Sequence, residues 1–271
     1  MNIIEAIAKE LNLTVDQVEK TVALIDEGNT IPFIARYRKE QHGAMDDQLI
    51  RQIADKLEYL RNLDARREEV RKLIEAQGNL SEEVSAALDK AATLAEIDDI
   101  YRPFRPHRKT RASVARERGL EPLAELIMSQ QESYDPLLEA QAASYVNEEK
   151  GVESAEEALK GAMDIIAEDV SDNAEYRKKL RALTFDHGSL ATKAAKEEDS
   201  VYSMYYDFAE AIKKLPGHRI LAINRGEKEE FLKVSLTVPE EVVLGFLYNC
   251  VLTSTESPAT PYVRDAVTDS Y

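Results

Sequence analysis

Cysteine is almost missing from this sequence: Cys250 is the only one in 271 residues, which excludes a disulfide framework and any thiolate zinc cluster. Glycine and proline are scarce as well, ten and nine, too few for a turn-rich β architecture. No apolar run approaches the roughly 18 residues that a bilayer span needs. The start at Met1 has neither the basic stretch nor the apolar core of a secretory leader. The expectation is a cytoplasmic protein with no membrane partner. Hydrophobic residues make up 44%, too many for a disordered chain and enough to fill one large or two modest domains.

Negative charge dominates, with 51 Asp and Glu against 35 Lys and Arg, a net of −16. Its distribution matters more than its total. Residues 1–118 stand at −2 and residues 119–271 at −14, while Tyr101–Arg118 alone holds seven Arg or Lys against one Glu. A basic island in an acidic protein marks a local contact surface. The acidic half suits solvent, protein or basic partners.

Almost everything reads as helix. Ile3, Ile4, Ile7 and Leu11 share one face of an opening helix. Thr14 and Gln17 have capping-box spacing, Gly28 stops the helix they open, and Thr30 with Pro32 starts the next. Short amphipathic helices in tandem give a helix-turn-helix-like start. From Asp46 to Gln77 there is neither Gly nor Pro. Ile50, Ile53, Leu57, Leu60, Val70 and Ile74 recur there around a polar interruption at Asp64–Glu69, which predicts one helix of roughly 30 residues. Ser81 and Thr93 cap two shorter helices, the second running into Pro103 and Pro106. More helices follow, the clearest carrying Ala158, Leu159, Ala162, Ile165, Ile166 and Val170 on one face. Gly188–Asp199 reads as a loop or hairpin tip, and Tyr202–Ile220 as a helical stretch broken at Pro216-Gly217. Phe231–Val238 alternates and is the one expected strand.

The fold class is therefore all-α: a multi-helix array with a helix-turn-helix-like start, one long helix and at most a short strand or hairpin near residues 231–238. Three regions are expected: a helical domain at 1–118 with the basic segment, an acidic helical region at 119–253, and a linker at 254–271 leading into a helix that breaks off as in a piece of a longer protein.

Catalytic chemistry finds little support. His42, His107, His187 and His218 are scattered singly, so no metal site is expected. Cys250 lies in an apolar run and reads as an inert thiol. Asp98 and Asp99 project about 100° apart on a helix and read as partners for a nearby Arg rather than as a metal pair. No glycine-rich phosphate loop occurs. The expectation is no enzyme activity and no cofactor. Two basic-aromatic clusters remain. One holds Arg36, Arg38 and Lys39 beside Phe33 and Tyr37; the other holds Tyr101, Arg102, Phe104, Arg105, Arg108, Lys109 and Arg111. Arg and Lys neutralise phosphates, and aromatic rings stack on unpaired bases. The competing reading is internal, because buried Arg paired with some of the 51 carboxylates would give the same sequence. The two readings stand level for Arg36 and Arg38. The second cluster has more positive charge than one buried network easily holds, which favours an exposed anion surface. Tyr202, Tyr205, Tyr206 and Phe208 have the spacing of a core stripe.

Several blocks, in order, resemble the bacterial transcription accessory protein Tex family. They are Thr30-Ile-Pro-Phe-Ile-Ala-Arg-Tyr-Arg-Lys-Glu40, Ile97-Asp-Asp-Ile-Tyr-Arg-Pro-Phe104, Arg108-Lys-Thr-Arg-Ala112, Ala115-Arg-Glu-Arg-Gly-Leu-Glu-Pro-Leu-Ala124 and His218-Arg-Ile-Leu-Ala-Ile-Asn-Arg-Gly-Glu227. Ile31, Gln41 and His42 depart mildly from the family pattern. The resemblance implies a cytoplasmic, nucleic-acid-binding parent that works with the transcription machinery. It also implies an RNase H-like domain, helix-hairpin-helix units and an OB-fold RNA-binding domain beyond the present residues. RNA or DNA would be the partner, through the full-length protein at least. The alternative is a protein-protein interaction scaffold that binds no nucleic acid of its own.

Overall fold

A computed structural model describes residues 2–105, 109–134, 137–196 and 198–271, which form two compact units dividing between Phe104 and Arg105. The first unit is helical: α1 (Ile3–Leu11), α2 (Val15–Asp26), α3 (Ile31–Tyr37), α4 (Lys39–His42), α5 (Asp47–Ala76), α6 (Glu82–Lys90) and α7 (Leu94–Tyr101). Its helix starts follow local chemistry. Thr14 Oγ1 accepts from the Gln17 amide at 3.2 Å while Gln17 Oε1 accepts from the Thr14 amide at 3.0 Å, the reciprocal pair that satisfies two otherwise orphaned donors. Asp46, Ser81 and Thr93 likewise accept from the amides of Leu49, Val84 and Glu96. Thr30 makes no such side-chain bond, and Pro32 in the first turn of α3 sets the geometry instead.

The 30-residue α5 is the spine of this unit. Ile50, Ile53, Leu57, Leu60, Leu63, Val70 and Ile74 are buried at three- and four-residue intervals, and α1, α2, α3, α6 and α7 pack against the helix. The polar interruption at Asp64–Glu69, with Arg71 just beyond it, is where α5 grips its neighbours. Arg66 reaches Asp98 on α7 at 2.7 Å, Arg71 reaches Ser85 and Asp89 on α6, and the buried Arg67 donates to the Leu88 and Ala91 carbonyls at 2.9 Å each. The reading of Asp98 as an Arg partner holds.

The second unit contains α8 (Arg111–Glu117), α9 (Glu121–Met128), α10 (Leu138–Ala143), α11 (Ala155–Asp172), α12 (Ala174–His187), α13 (Gly217–Lys228), α14 (Glu240–Val251) and α15 (Thr260–Ser270). Helix α11 is its centre, with α8, α9, α10 and α15 packed around Ala158, Leu159, Ala162, Ile165, Ile166 and Val170. Gly161 lets the Leu120 side chain approach so closely that a Cβ there would lie 2.4 Å from Leu120 Cδ1. A domain running to Arg118 would group α8 with the residues before it; in the structure α8 packs on α11.

Between α12 and α14 lies a three-stranded antiparallel sheet of β1 (Ser189–Ala194), β2 (Asp207–Ala211) and β3 (Leu232–Thr237), in the order β2-β1-β3. Thr192 faces Phe208 on one side and Val234 on the other. Only β3 matches the sequence expectation. The segment read as a loop or tip contains β1. The stretch read as helical across Tyr202–Ile220 is a short 3-10 turn, β2, a second 3-10 turn and the start of α13. Tyr202 and Tyr205 are core residues all the same, buried with Ile223 and Leu232 beneath α13. The chain is otherwise mostly α, as expected.

Candidate nucleic-acid interface

The first basic cluster occupies the corner between α3 and α5. Ile34 is buried, and Ile31 and Ala35 pack against the same core, so the opposite side of α3 faces outward with Phe33, Arg36 and Tyr37. Phe33 and Tyr37, one helical turn apart, hold their ring centroids 5.3 Å from each other, and the Arg38 guanidinium lies 5.1 Å from the Phe33 centroid. Tyr37 is 65% exposed. Arg36 and Lys39 are exposed, and among the described residues neither has an ion-pair partner. His42 fixes this corner from inside. It is wholly buried, its Nε2 lies 3.1 Å from the Ile34 carbonyl, and its Nδ1 accepts from the Met45 amide at 3.1 Å. That pattern requires the proton on Nε2. Gly43, at φ +74°, completes the turn against the Gln17 side chain, which would clash with a Cβ.

The second cluster is distributed differently. Tyr101 is 8% exposed and belongs to the core, with the Arg66 guanidinium 5.9 Å from its ring, so it offers no face for a base to stack on. Phe104 is half-buried against the same core, and its carbonyl accepts from Gln77 Nε2 at 3.0 Å. Arg102 is half-buried and Arg105 exposed. Arg108 lies outside the described residues. Lys109 pairs with Glu117 at 3.1 Å. Arg111 reaches Asp269 on α15 at 2.5 Å and Asp164 on α11 at 3.4 Å. Arg116 meets Glu168, Asp169 and Glu121. The cations of α8 thus serve internally, tying that helix to α11 and α15. Lys109 and Arg111 nevertheless keep about two-thirds of their side-chain surface in solvent. Burial pushes the Asp164 carboxyl above its ordinary value; Arg111 pulls it back, and the nearby Asp269 adds to the rise.

Among the described residues no three His, Cys, Asp or Glu side chains are grouped so as to hold a metal, and no helix is long and apolar enough to cross a membrane. Cys250 is exposed, against the expectation of a thiol enclosed by its apolar neighbours: α14 turns Val243, Leu247 and Val251 inward and leaves Cys250 on the solvent side. Sequence reasoning also missed the roles of His42 and Arg67. A lone histidine and one Arg within a charged run carry no local signal of burial.

Comparison with known proteins covers nearly the whole chain. Residues 1–75 match the Tex-like protein N-terminal domain and residues 132–270 match the Tex central region-like family. The uncharacterized protein YdcI of Bacillus subtilis is 41% identical over 271 residues, covering 98% of this chain and 37% of its own length. The transcriptional accessory protein Tex of Neisseria gonorrhoeae is 38% identical over 239 residues, 87% of this chain and 31% of its own. The human S1 RNA-binding domain-containing protein 1 is 25% identical over 261 residues, 92% of this chain and 26% of its own. The chain therefore spans about a third of the length of the bacterial relatives it matches. With both family regions present in order, the chain belongs to the Tex family of transcription accessory proteins, of which it represents the N-terminal and central helical region.

Proposed function

We propose that this region works without catalysis, in the cytoplasm, as a helical scaffold of a transcription accessory protein, and that it contributes a nucleic-acid contact centred on the α3 corner. Arg36 and Lys39 carry the reading, because they are exposed and not used by any internal carboxylate among the described residues. Phosphate neutralisation by Arg36, Arg38 and Lys39 supplies sequence-independent affinity, and the exposed Tyr37 ring beside Phe33 offers a stacking face for an unpaired base. Arg105, Lys109 and Arg111, all in the second unit, form a secondary surface. An exposed ion pair is worth little, so Lys109 and Arg111 can exchange a carboxylate for a phosphate at small cost. The names of relatives point the same way: one is a transcriptional accessory protein and another carries an S1 RNA-binding domain. The helix-turn-helix-like run of α1–α3 belongs to this reading.

Fluorescence anisotropy with a labelled single strand at about 50 and about 200 mM salt tests it. Binding should weaken with salt, and the Arg36→Glu/Lys39→Glu variant should lose at least about tenfold in affinity, more than Arg105→Glu/Arg111→Glu loses. Equal losses would move the contact off α3. Flat curves at low salt would support the second reading, a protein scaffold with no nucleic-acid contact of its own. That reading is favoured by the internal use of Arg111 and Arg116.

A further inference from the structure

Residue parity along β1 decides where its backbone groups point. On one side the Ala194 amide donates to the Tyr206 carbonyl at 2.9 Å and the Ile212 amide to the Gly188 carbonyl at 3.0 Å; on the other the Ala195 amide donates to the Phe231 carbonyl at 2.8 Å. Combined with the strand register, even-numbered residues of β1 bond to β2 and odd-numbered ones to β3. Lys233, Ser235 and Thr237 therefore carry the β3 side of the ladder. The amides and carbonyls of Leu232, Val234 and Leu236 point away from the sheet, along its free edge. Among the described residues no hydrogen-bond partner meets them.

Folded proteins blunt such edges with charge, proline or short length. The other edge strand, β2, has five residues and two carboxylates, Asp207 and Glu210. The six residues of β3, Leu-Lys-Val-Ser-Leu-Thr, have a single charge. The side chains flanking this edge define what fits it. On the α13 side Val234 is half-buried and Leu236 is 60% exposed. On the opposite face Lys233 lies directly across from Lys193, both exposed and neither with an ion-pair partner among the described residues. Lys193 has Asp207 across from it on β2, whereas Lys233 on the edge strand is set across from the like charge of Lys193, an unfavourable pairing. A strand added beside β3 would set its side chains alternately next to the Val234/Leu236 face and next to Lys233.

We propose that the free edge of β3 is a strand-addition site for an extended segment of a partner protein whose side chains alternate between apolar and acidic. Backbone bonds to Leu232, Val234 and Leu236 supply the affinity. The apolar side chains extend the cover over Leu236, and a carboxylate beside Lys233 relieves the Lys193–Lys233 opposition; these side chains set the specificity.

The probe is a fluorescein-labelled heptapeptide alternating Glu and Val, with its Lys/Val counterpart as the charge-reversed control, titrated against the whole 271-residue chain. Saturable binding of the acidic peptide is expected, with amide exchange slowed at Leu232, Val234 and Leu236. Leu236→Pro removes an outward amide at an exposed position without touching the β1 ladder, and should weaken binding at least about tenfold. Lys233→Glu should weaken the acidic peptide and turn the preference towards the lysine peptide. Circular dichroism confirms that both variants remain folded. No binding to the wild-type chain at millimolar peptide, equal binding by all three proteins, or slowed exchange elsewhere would overturn the proposal. So would concentration-dependent slowing of the same amides without peptide, which would assign the edge to a second copy of this chain.

Discussion

Arg67 stands between Leu63 and Val70 at a position of the α5 stripe that its neighbours fill with apolar side chains, and it is 7% exposed. Its guanidinium holds that place by geometry. Nε and Nη2 donate to the Leu88 and Ala91 carbonyls at the C-terminal end of α6, while Nη1 meets Asp64. Arg67→Ala deletes all three bonds: the Ala91 carbonyl loses its donor and the Leu88 carbonyl keeps only the Ala91 amide at 3.3 Å. The expected loss is about 3 kcal/mol, seen as a lower urea midpoint at unchanged slope. Arg67→Lys keeps the charge but not the fork that reaches two carbonyls at once, so it should recover only part of the loss. A loss below about 1 kcal/mol for Arg67→Ala would mean that water replaces the guanidinium.

At the scale of elements, two glycines inside helices answer the same substitution with opposite signs. In an open helix interior Gly→Ala gains about 1 kcal/mol of helix propensity. Gly245 in α14 has nothing within 4 Å of the position that a Cβ would take, so Gly245→Ala should show that gain as a higher thermal midpoint. Gly226 in α13 is buried, and a Cβ there would lie 2.7 Å from Leu232 Cδ1 and 3.0 Å from Tyr202 Cδ1. Both neighbours belong to the small core under the sheet, and crowding of this kind costs about 1–3 kcal/mol. Crowding should therefore outweigh propensity, and Gly226→Ala should speed amide exchange in β3. The contrast also says why the helices were legible in the sequence and the sheet was not. Thr14 with Gln17, or Ser81 with Val84, complete their bonds within three residues, so a cap can be read locally. Ser-Leu-Ala-Thr-Lys-Ala has little intrinsic strand preference, and β1 becomes a strand because β3, some forty residues later, pairs with it. Tyr202, Tyr205 and Phe208 were legible as core, but their helical spacing concealed a turn leading into β2. At the candidate site the α3 corner could be read because its rings and cations share one short segment. The burial of Tyr101 could not.

Across the whole molecule, folding redistributes the charge pattern that the sequence suggests. Divided at the boundary between the units, residues 1–104 carry −7 and residues 105–271 carry −9, so the contrast between halves all but disappears. The basic island is partly absorbed by carboxylates far along the chain: Arg111 and Asp269 are 158 residues apart in sequence and in contact in the fold. The same guanidinium also reaches Asp164, and there the fold has a pH signature. Asp164 has a folded-state pKa above its ordinary value, so the native state holds its proton more tightly; this stabilising share is present in acid and is lost as pH rises through the raised value. Arg111→Gln removes the stronger of the two cations that oppose burial, leaving Lys160, and the Asp164 carboxyl should rise further. At about pH 7 the variant leaves Asp164 facing Asp269 without the Arg111 guanidinium, at a cost of about 1 kcal/mol, kept small because the Arg111 side chain is 64% exposed and Lys160 remains. At about pH 4.5 Asp164 in the variant is increasingly protonated, so the gap from the wild-type chain should narrow. Urea unfolding of both proteins at the two pH values measures it. A gap that stays constant or widens in acid would mean that Arg111 holds α8 to α11 and α15 through packing rather than charge.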